Sequence, residues 1–192
     1  MSSSDPRGIL QRQRANPKLY QEPQQRALQF AAEETASTLI QGQRVHLLGL
    51  GLYHYLADYF ASMLRTGLEL ARPALPVTTL QPDPTLITST HNQGSFKHYE
   101  QALKLQVQAH DQLIVLAHHE QTSLTKDLLL IGQNLELKLI VFSNDREHLQ
   151  HQLESRQLIL LDTSANHMTF VYENTVSLLH QLYSIIEQQL FG

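Results

Sequence analysis

The sequence predicts an α/β fold, a three-layer sandwich in which helices cover both faces of a five-stranded parallel sheet. Short apolar runs, each the length of one strand, alternate with segments of helical periodicity, an order typical of parallel sheets. An amphipathic segment precedes the first run, and a long apolar segment follows the last one. We therefore expect an N-terminal helix, a central sheet and a long C-terminal helix.

Apolar runs and capping residues place the individual elements. Apolar residues recur at helical spacing from Gln24 to Ile40, which predicts a first helix of about four turns. Ser123 is expected to cap a helix, and Asn144 with Glu147 three residues later resembles a capping box. The predicted strands are 45–48, 75–79, 113–116, 139–142 and 158–161, and a further helix is predicted over 53–64.

Apolar residues cover well over half the circumference of the last predicted helix, 166–190. A single surface helix needs only one apolar stripe. Either one face packs on the sheet and the remainder is apolar without a partner, or the helix forms a subunit interface. Because large exposed apolar patches are rare on monomers, we favour the interface.

The composition limits the domain count and the classes of partner. A chain of 192 residues with 42% hydrophobic content suits one domain, so we assign 1–23 to an N-terminal arm and 24–192 to a single domain. No run reaches the roughly 18 apolar residues of a membrane span, and the polar start lacks a signal peptide's apolar region. We therefore expect a cytoplasmic protein that does not bind membranes. A net charge of -4 without a basic run argues against direct nucleic-acid binding.

Two loops follow predicted strands and form the candidate ligand site. Gly49-Leu50-Gly51 comes after the first strand and opens a helix, and the segment 117–123 follows the third strand. Because ligands of parallel sheets bind outside the carboxyl ends of the strands, we expect these loops to share a site. The candidate ligand residues are Gly49, Gly51, His54, His118, Thr122 and Ser123.

Several motifs resemble the sugar isomerase (SIS) domain of phosphoheptose isomerases and of the DiaA group, which binds the replication initiator DnaA. They are the Gly-x-Gly turn with Ala57, Phe60, Ala61 and Ser62, the run Arg72-Pro73-Ala74-Leu75-Pro76, and Asp111 ahead of a strand. The resemblance covers about 28–191. It implies a flavodoxin-like SIS fold.

The resemblance also implies positions for catalytic groups, and this chain carries other residues there. The family's loop asparagine and serine would fall at Leu50 and Tyr53, and its catalytic glutamate and histidine at Met63 and Tyr59. On the terminal helix, its glutamine and histidine would fall at Tyr172 and Thr175. Isomerisation needs a positioned base. We therefore expect a protein that is not an enzyme and that uses no cofactor.

The histidines give weak indications of metal or anion binding. His118 and His119 are adjacent, and neighbours on an extended segment point to opposite faces, so we expect no metal site there or at His148 with His151. Glu120 would repel phosphate unless a neighbouring histidine were protonated. His54 could contact an anion at a helix N-terminus, or packing by its neighbours could fill this loop.

By resemblance, the chain is interpreted as a non-catalytic adaptor that binds DnaA as a homo-oligomer. We expect a homotetramer, although the sequence leaves a dimer open, with partner contacts at Tyr53, Leu190 and Phe191. The alternatives are pairing with an active homologue, and a phosphosugar-binding protein or divergent phosphoheptose isomerase-like enzyme. Such an enzyme would use substitutes among His54, Ser89, Thr90, His91 and His118. An open second loop with free backbone amides would favour ligand binding, and a filled loop would favour the adaptor.

Overall fold

Five parallel strands form one sheet in the order β2-β1-β3-β4-β5 in the computed structural model, which describes residues 18–67, 72–81, 92–150, 158–164 and 168–192. Each strand pair is in parallel register; Leu47, for example, lies between Thr79 and Ile114. The strands are β1 (Val45–Gly49), β2 (Val77–Thr79), β3 (Gln112–Ala117), β4 (Lys138–Ser143) and β5 (Leu158–Asp162). The helices are α1 (Lys18–Ile40), α2 (His54–Thr66), α3 (Asn92–Gln106), α4 (Thr122–Asn134), α5 (Arg146–Gln150) and α6 (Met168–Phe191).

Both faces of the sheet are buried, which explains why its strands are continuous apolar runs rather than alternating ones. Successive side chains of a strand point to opposite faces, so Leu47 packs into one core and Leu48 into the other. One core contains residues of α1, α2 and α6, and the other contains residues of α3 and α4. The predicted three-layer α/β fold, with its N-terminal and long C-terminal helices, is confirmed.

Local differences concern helix ends. Helix α1 begins at Lys18 rather than Gln24 and contains Pro23, so the proposed boundary between arm and domain falls inside a helix. Ser123 does not cap α4, because the helix already begins at Thr122. Asn144 does not cap α5, since its side chain bonds to His119 instead. No bounds were predicted from the sequence for helix α3.

The apolar surface of α6 is used mainly within the chain. The helix packs on α1, α2 and the sheet, and it buries Leu178, Leu179, Leu182, Tyr183 and Ile186. Among the described residues of α6, Phe191 is the large hydrophobic side chain that stays exposed, at 41%. Packing inside one subunit therefore accounts for most of the apolar pattern, and assembly into a homotetramer stays a prediction.

Among the described residues, no helix has a stretch that is long and apolar enough to cross a membrane. The cytoplasmic location stays a prediction.

Candidate functional site at the β1 and β3 edge

In an open parallel sheet, a crevice forms where the chain connections leave the sheet in opposite directions. Strand β1 pairs with β2 on one side and with β3 on the other, so the order reverses between β1 and β3. In open parallel sheets, ligands bind at this point, outside the carboxyl ends of the strands. The loops that follow β1 and β3 are therefore the structural candidates for a binding site.

The first loop turns tightly at its glycines. A Cβ on Gly49 would lie 2.2 Å from the carbonyl oxygen of Tyr53, so no side chain fits there. Gly51 has φ +58, in the left-handed region that favours glycine. Leu50 is buried between them, and its N–H donates to the carbonyl of Leu116 at 2.9 Å. Both predicted glycine positions are thus required by the turn that ties β1 to β3.

Gln121 connects the two loops. The side-chain Oε1 of Gln121 accepts from the backbone N–H of His118 at 3.1 Å, and the backbone N–H of Gln121 donates to the carbonyl of His118 at 2.9 Å. Its Nε2 lies 3.1 Å from the position of a Cβ on Gly51. The second loop is therefore not an open turn with free amides, because a side-chain amide lies between the two loops. A filled loop was the arrangement expected of an adaptor, so a ligand at this position would have to contact the Gln121 amide itself.

An aromatic pair joins the first loop to the terminal helix. Tyr53 and Tyr172 stack with ring centroids 4.9 Å apart. Burial raises the pKa of Tyr53, and nearby Thr175, whose hydroxyl donates to the carbonyl of Val171, offsets only part of the rise. Tyr53 is 1% exposed, so the prediction that it contacts a partner protein is wrong: it belongs to the core.

His118, His119 and Glu120 form a compact cluster at the end of β3. The two imidazole rings lie 3.9 Å apart rather than on opposite faces, because the strand ends at Ala117 and a short 3-10 turn begins at His119. His118 Nδ1 lies 3.8 Å from Glu120 Oε2. Burial and the neighbouring His119 lower the pKa of His118, while Glu120 opposes this shift. Burial and the charge of Glu120 raise the pKa of Tyr172, which places the cluster near the aromatic pair.

The other candidate ligand residues are used for local structure. Thr122 Oγ1 lies 2.7 Å from the carbonyl of His119 and 2.5 Å from Asp145 Oδ2, so it joins the second loop to the end of β4. His54 Nδ1 donates to the carbonyl of Gly51 at 2.8 Å. Ser123 is exposed in the first turn of α4. Ser89, Thr90 and His91 lie outside the described residues.

A second polar pair lies on the helices that leave the site, and the sequence analysis missed it. Tyr59 on α2 and His180 on α6 meet with the phenol oxygen 3.0 Å from Nε2. Their ring centroids are 5.7 Å apart. The family resemblance pointed to Thr175, which is fully buried, whereas His180 lies five residues further along the same helix. Only the contact between α2 and α6 reveals the pair.

The tip of α6 is anchored by an arginine. The Arg72 guanidinium bonds Glu187 Oε1 through Nε at 2.9 Å and through Nη2 at 2.6 Å. It also lies over the ring of Phe191, 5.0 Å from the centroid. Leu190 is partly buried against the core, whereas Phe191 stays partly exposed. The helix tip is therefore a defined surface.

No family model and no curated protein matches the sequence. Solved structures do match the fold. A phosphoheptose isomerase from Francisella tularensis is 23% identical, with a TM-score of 0.75 over 95% of this chain and 92% of that one. The chain has the phosphoheptose isomerase fold. Phosphoheptose isomerase GmhA from Neisseria gonorrhoeae is 18% identical, with a TM-score of 0.72 over 95% of this chain and 94% of that one.

The same fold also occurs in a regulator. The sugar isomerase domain of an RpiR transcription factor from Sphaerobacter thermophilus is 11% identical, with a TM-score of 0.53 over 82% of this chain and 77% of that one. The expectation that this chain is not an enzyme is contradicted by the comparisons, because the structures that match it with TM-scores of 0.75 and 0.72 are phosphoheptose isomerases.

Proposed function

We propose that this protein binds a phosphorylated sugar at the β1 and β3 crevice and isomerises it, as a divergent relative of the SIS-domain phosphoheptose isomerases. The observation that carries the proposal is the hydrogen bond between Tyr59 and His180, at 3.0 Å. It joins a phenol and an imidazole on the two helices whose N-terminal ends are linked by the stacked Tyr53 and Tyr172. Histidine is the side chain best suited to proton transfer near neutral pH.

The crevice offers donors for a phosphate. Gly51 begins a short 3-10 turn that runs directly into α2, and the first amides of a helix have no acceptor within it. Anions bind favourably at such N-termini. Gln121 Nε2 faces the same loop and can donate to a phosphate or hydroxyl oxygen. These groups supply the hydrogen-bond donors that a bound phosphate requires.

The spacing along the two helices suits an extended substrate. Tyr59 lies six residues beyond Tyr53, which is about 9 Å along the axis of α2. His180 lies eight residues beyond Tyr172, about 12 Å along α6. A sugar phosphate held at the crevice by its phosphate would therefore extend its carbonyl end toward the pair.

The pair can carry the proton of an aldose-ketose isomerisation. The imidazole of His180 takes the proton from the carbon beside the carbonyl and returns it to the former carbonyl carbon, while solvent moves the hydroxyl proton to the former carbonyl oxygen. In the required tautomer, Nε2–H of His180 donates to the phenol oxygen of Tyr59, which orients the ring and leaves Nδ1 unprotonated to accept the substrate proton. Met63, where the resemblance placed a glutamate, is 2% exposed and takes no part.

The test is a turnover assay with sedoheptulose 7-phosphate and a panel of other sugar phosphates. We expect isomerisation by the wild type and a loss of at least about a hundredfold in kcat for His180→Asn, the usual scale for removing an acid-base group. Tyr59→Phe should reduce kcat less, because the imidazole remains.

Matched controls separate catalysis from folding. Tyr55→Phe changes a 66% exposed phenol on the same helix, and His148→Asn changes an exposed histidine on α5. Both should retain full activity. Absence of turnover across the panel, or equal rates in His180→Asn and His148→Asn, would refute the proposal.

A second candidate function is binding of DnaA by a homotetramer of this chain. The observation that favours it is the tip of α6, where Arg72 supports a partly exposed aromatic ring. An aromatic anchor held in one position loses little freedom on binding. Such a contact is compatible with catalysis elsewhere on the molecule.

Biolayer interferometry with the DnaA of the same organism tests this candidate. Phe191→Ala should weaken binding at least about tenfold, the scale of a moderate hot spot. Phe30→Ala, which removes a 49% exposed ring from α1, is the matched control and should bind normally. Wild-type protein that is folded and does not bind DnaA would exclude this function.

A further inference from the structure

We propose that His118, His119 and Glu120 form a binding site for a zinc ion at the carboxyl end of β3. Each residue offers one ligand atom, and these atoms lie within 4.8 Å of one another. Two imidazoles and a carboxylate form a donor set that zinc binds, with a fourth position left for water. Magnesium and calcium prefer oxygen ligands, so the imidazoles favour zinc.

The strongest support is an unsatisfied nitrogen. His118 is 4% exposed, and its Nδ1 is buried without a hydrogen-bond partner among the described residues. Buried polar atoms are almost always paired, so an orphan in a native structure indicates a missing ligand or water. Nδ1 lies 3.8 Å from Glu120 Oε2 and therefore faces the other members of the cluster.

The geometry needs only small adjustments. Ligand atoms of tetrahedral zinc stand about 3.3 Å apart, as follows from metal-ligand distances near 2 Å. The present separations are somewhat larger. His119 and Glu120 are exposed and can rotate toward the buried nitrogen.

His119 would bind through Nε2, because its Nδ1 is occupied. Asn144 Oδ1 accepts from the backbone N–H of His119 at 2.8 Å. The same orientation places Asn144 Nδ2 3.1 Å from the ring nitrogen Nδ1 of His119. When zinc binds Nε2, the ring proton must move to Nδ1, where an acceptor is preferred. Asn144→Asp supplies a carboxylate that accepts from both groups, and it should tighten zinc binding.

The experiment is titration of the metal-free full-length protein with Zn²⁺ against a chromophoric chelator, repeated with Co²⁺ for its absorption spectrum. We expect one ion per chain and the spectrum of four-coordinate Co²⁺. His119→Asn and Glu120→Gln should each lower zinc affinity at least about tenfold, and Asn144→Asp should raise it. Circular dichroism melting of each variant checks that it is folded.

His110→Asn is the matched control. His110 precedes β3 at the opposite end of the strand, and its φ of 71 is a conformation that asparagine tolerates. Its zinc affinity should equal that of the wild type. Failure to bind one ion per chain, wild-type affinity in both His119→Asn and Glu120→Gln, or weaker binding by Asn144→Asp would overturn the proposal. The assay contains no sugar, so its outcome is independent of the proposed isomerase activity.

Discussion

At the scale of single residues, buried polar side chains of the described chain include a hydrogen-bonded network at the amino end of the sheet and His118 at its carboxyl end. At the amino end of the sheet, His46 Nε2 lies 3.0 Å from Asp111 Oδ2, and its Nδ1 lies 2.9 Å from Thr78 Oγ1. The same carboxylate accepts from the N–H groups of Arg44 and Gln108. Both ring nitrogens of His46 and both carboxylate oxygens of Asp111 have hydrogen-bond partners, so this network stabilises the fold. At the carboxyl end, His118 Nδ1 has no hydrogen-bond partner among the described residues, and the buried side-chain amide of Gln112 at the start of β3 is likewise unpaired.

The Asp111 network should make stability depend on pH. Burial alone would raise the pKa of Asp111, but its hydrogen bonds from Arg44, His46 and Gln108 outweigh burial and lower it below the ordinary 3.8. The ionised carboxylate therefore stabilises the fold above about pH 4, and this contribution disappears as the pH falls through the lower folded value.

Asp111→Asn should lower the free energy of unfolding by about 2 kcal/mol at pH 7, the scale of hydrogen bonds to a buried charge. Urea denaturation between pH 7 and pH 3 measures the difference, which should stay constant down to about pH 4 and then narrow. Asp127→Asn, an exposed carboxylate on α4, should change little. A difference that widens in acid would contradict this assignment.

At the scale of elements, the loop after β1 is the part of the site that sequence reasoning predicted best. Gly49 and Gly51 stand where a close approach and a positive φ require glycine. The side chains on which the proposals rest were harder to predict from the sequence. Gln121 and Asn144 act through contacts between loops, and His180 acts through contact between α2 and α6, so none of them has a local sequence signal.

The glycines of this loop should differ in their tolerance of alanine. Gly49→Ala places Cβ against backbone atoms of Tyr53 and His54 and should lower the free energy of unfolding by about 3 kcal/mol. Gly51→Ala meets only the end of the Gln121 side chain and should cost about 1–2 kcal/mol, mostly from φ.

Gly42→Ala provides the matched control for backbone conformation alone, because its φ is +76 and no atom lies within 4 Å of the added Cβ. Its cost should match that of Gly51→Ala in thermal or urea denaturation. Equal costs for Gly42→Ala and Gly49→Ala would mean that the close approach at Gly49 is not required.

At the scale of the whole molecule, alternation of apolar runs and helices predicted the sheet, its direction and its two covering layers. The long apolar α6 was interpreted as an interface, but most of its surface packs on α1, α2 and the sheet. Periodicity shows that a side chain is buried, but it does not show which element or subunit buries it. Exposed apolar side chains instead lie at the start of α2, where Leu52 is 64% and Tyr55 66% exposed.

If the chain assembles as a homotetramer, this patch is a candidate contact. Combined Leu52→Glu and Tyr55→Glu should reduce the molar mass measured by light scattering during size-exclusion chromatography, because buried charges disfavour association. Ile40→Glu, at a 72% exposed position at the end of α1, should leave the mass unchanged. A wild-type protein that elutes as a monomer at micromolar concentration would exclude the assembly.

Isotope exchange tests the central claim most directly, that this fold moves a proton on a sugar phosphate through His180. The protein is incubated in D₂O with sedoheptulose 7-phosphate or with another sugar phosphate that it binds, and the carbon-bound hydrogens beside the carbonyl are followed by NMR. The account predicts that deuterium enters this position with the wild type and at least about a hundredfold more slowly with His180→Asn. Folded, ligand-saturated wild-type protein that incorporates no deuterium would contradict it.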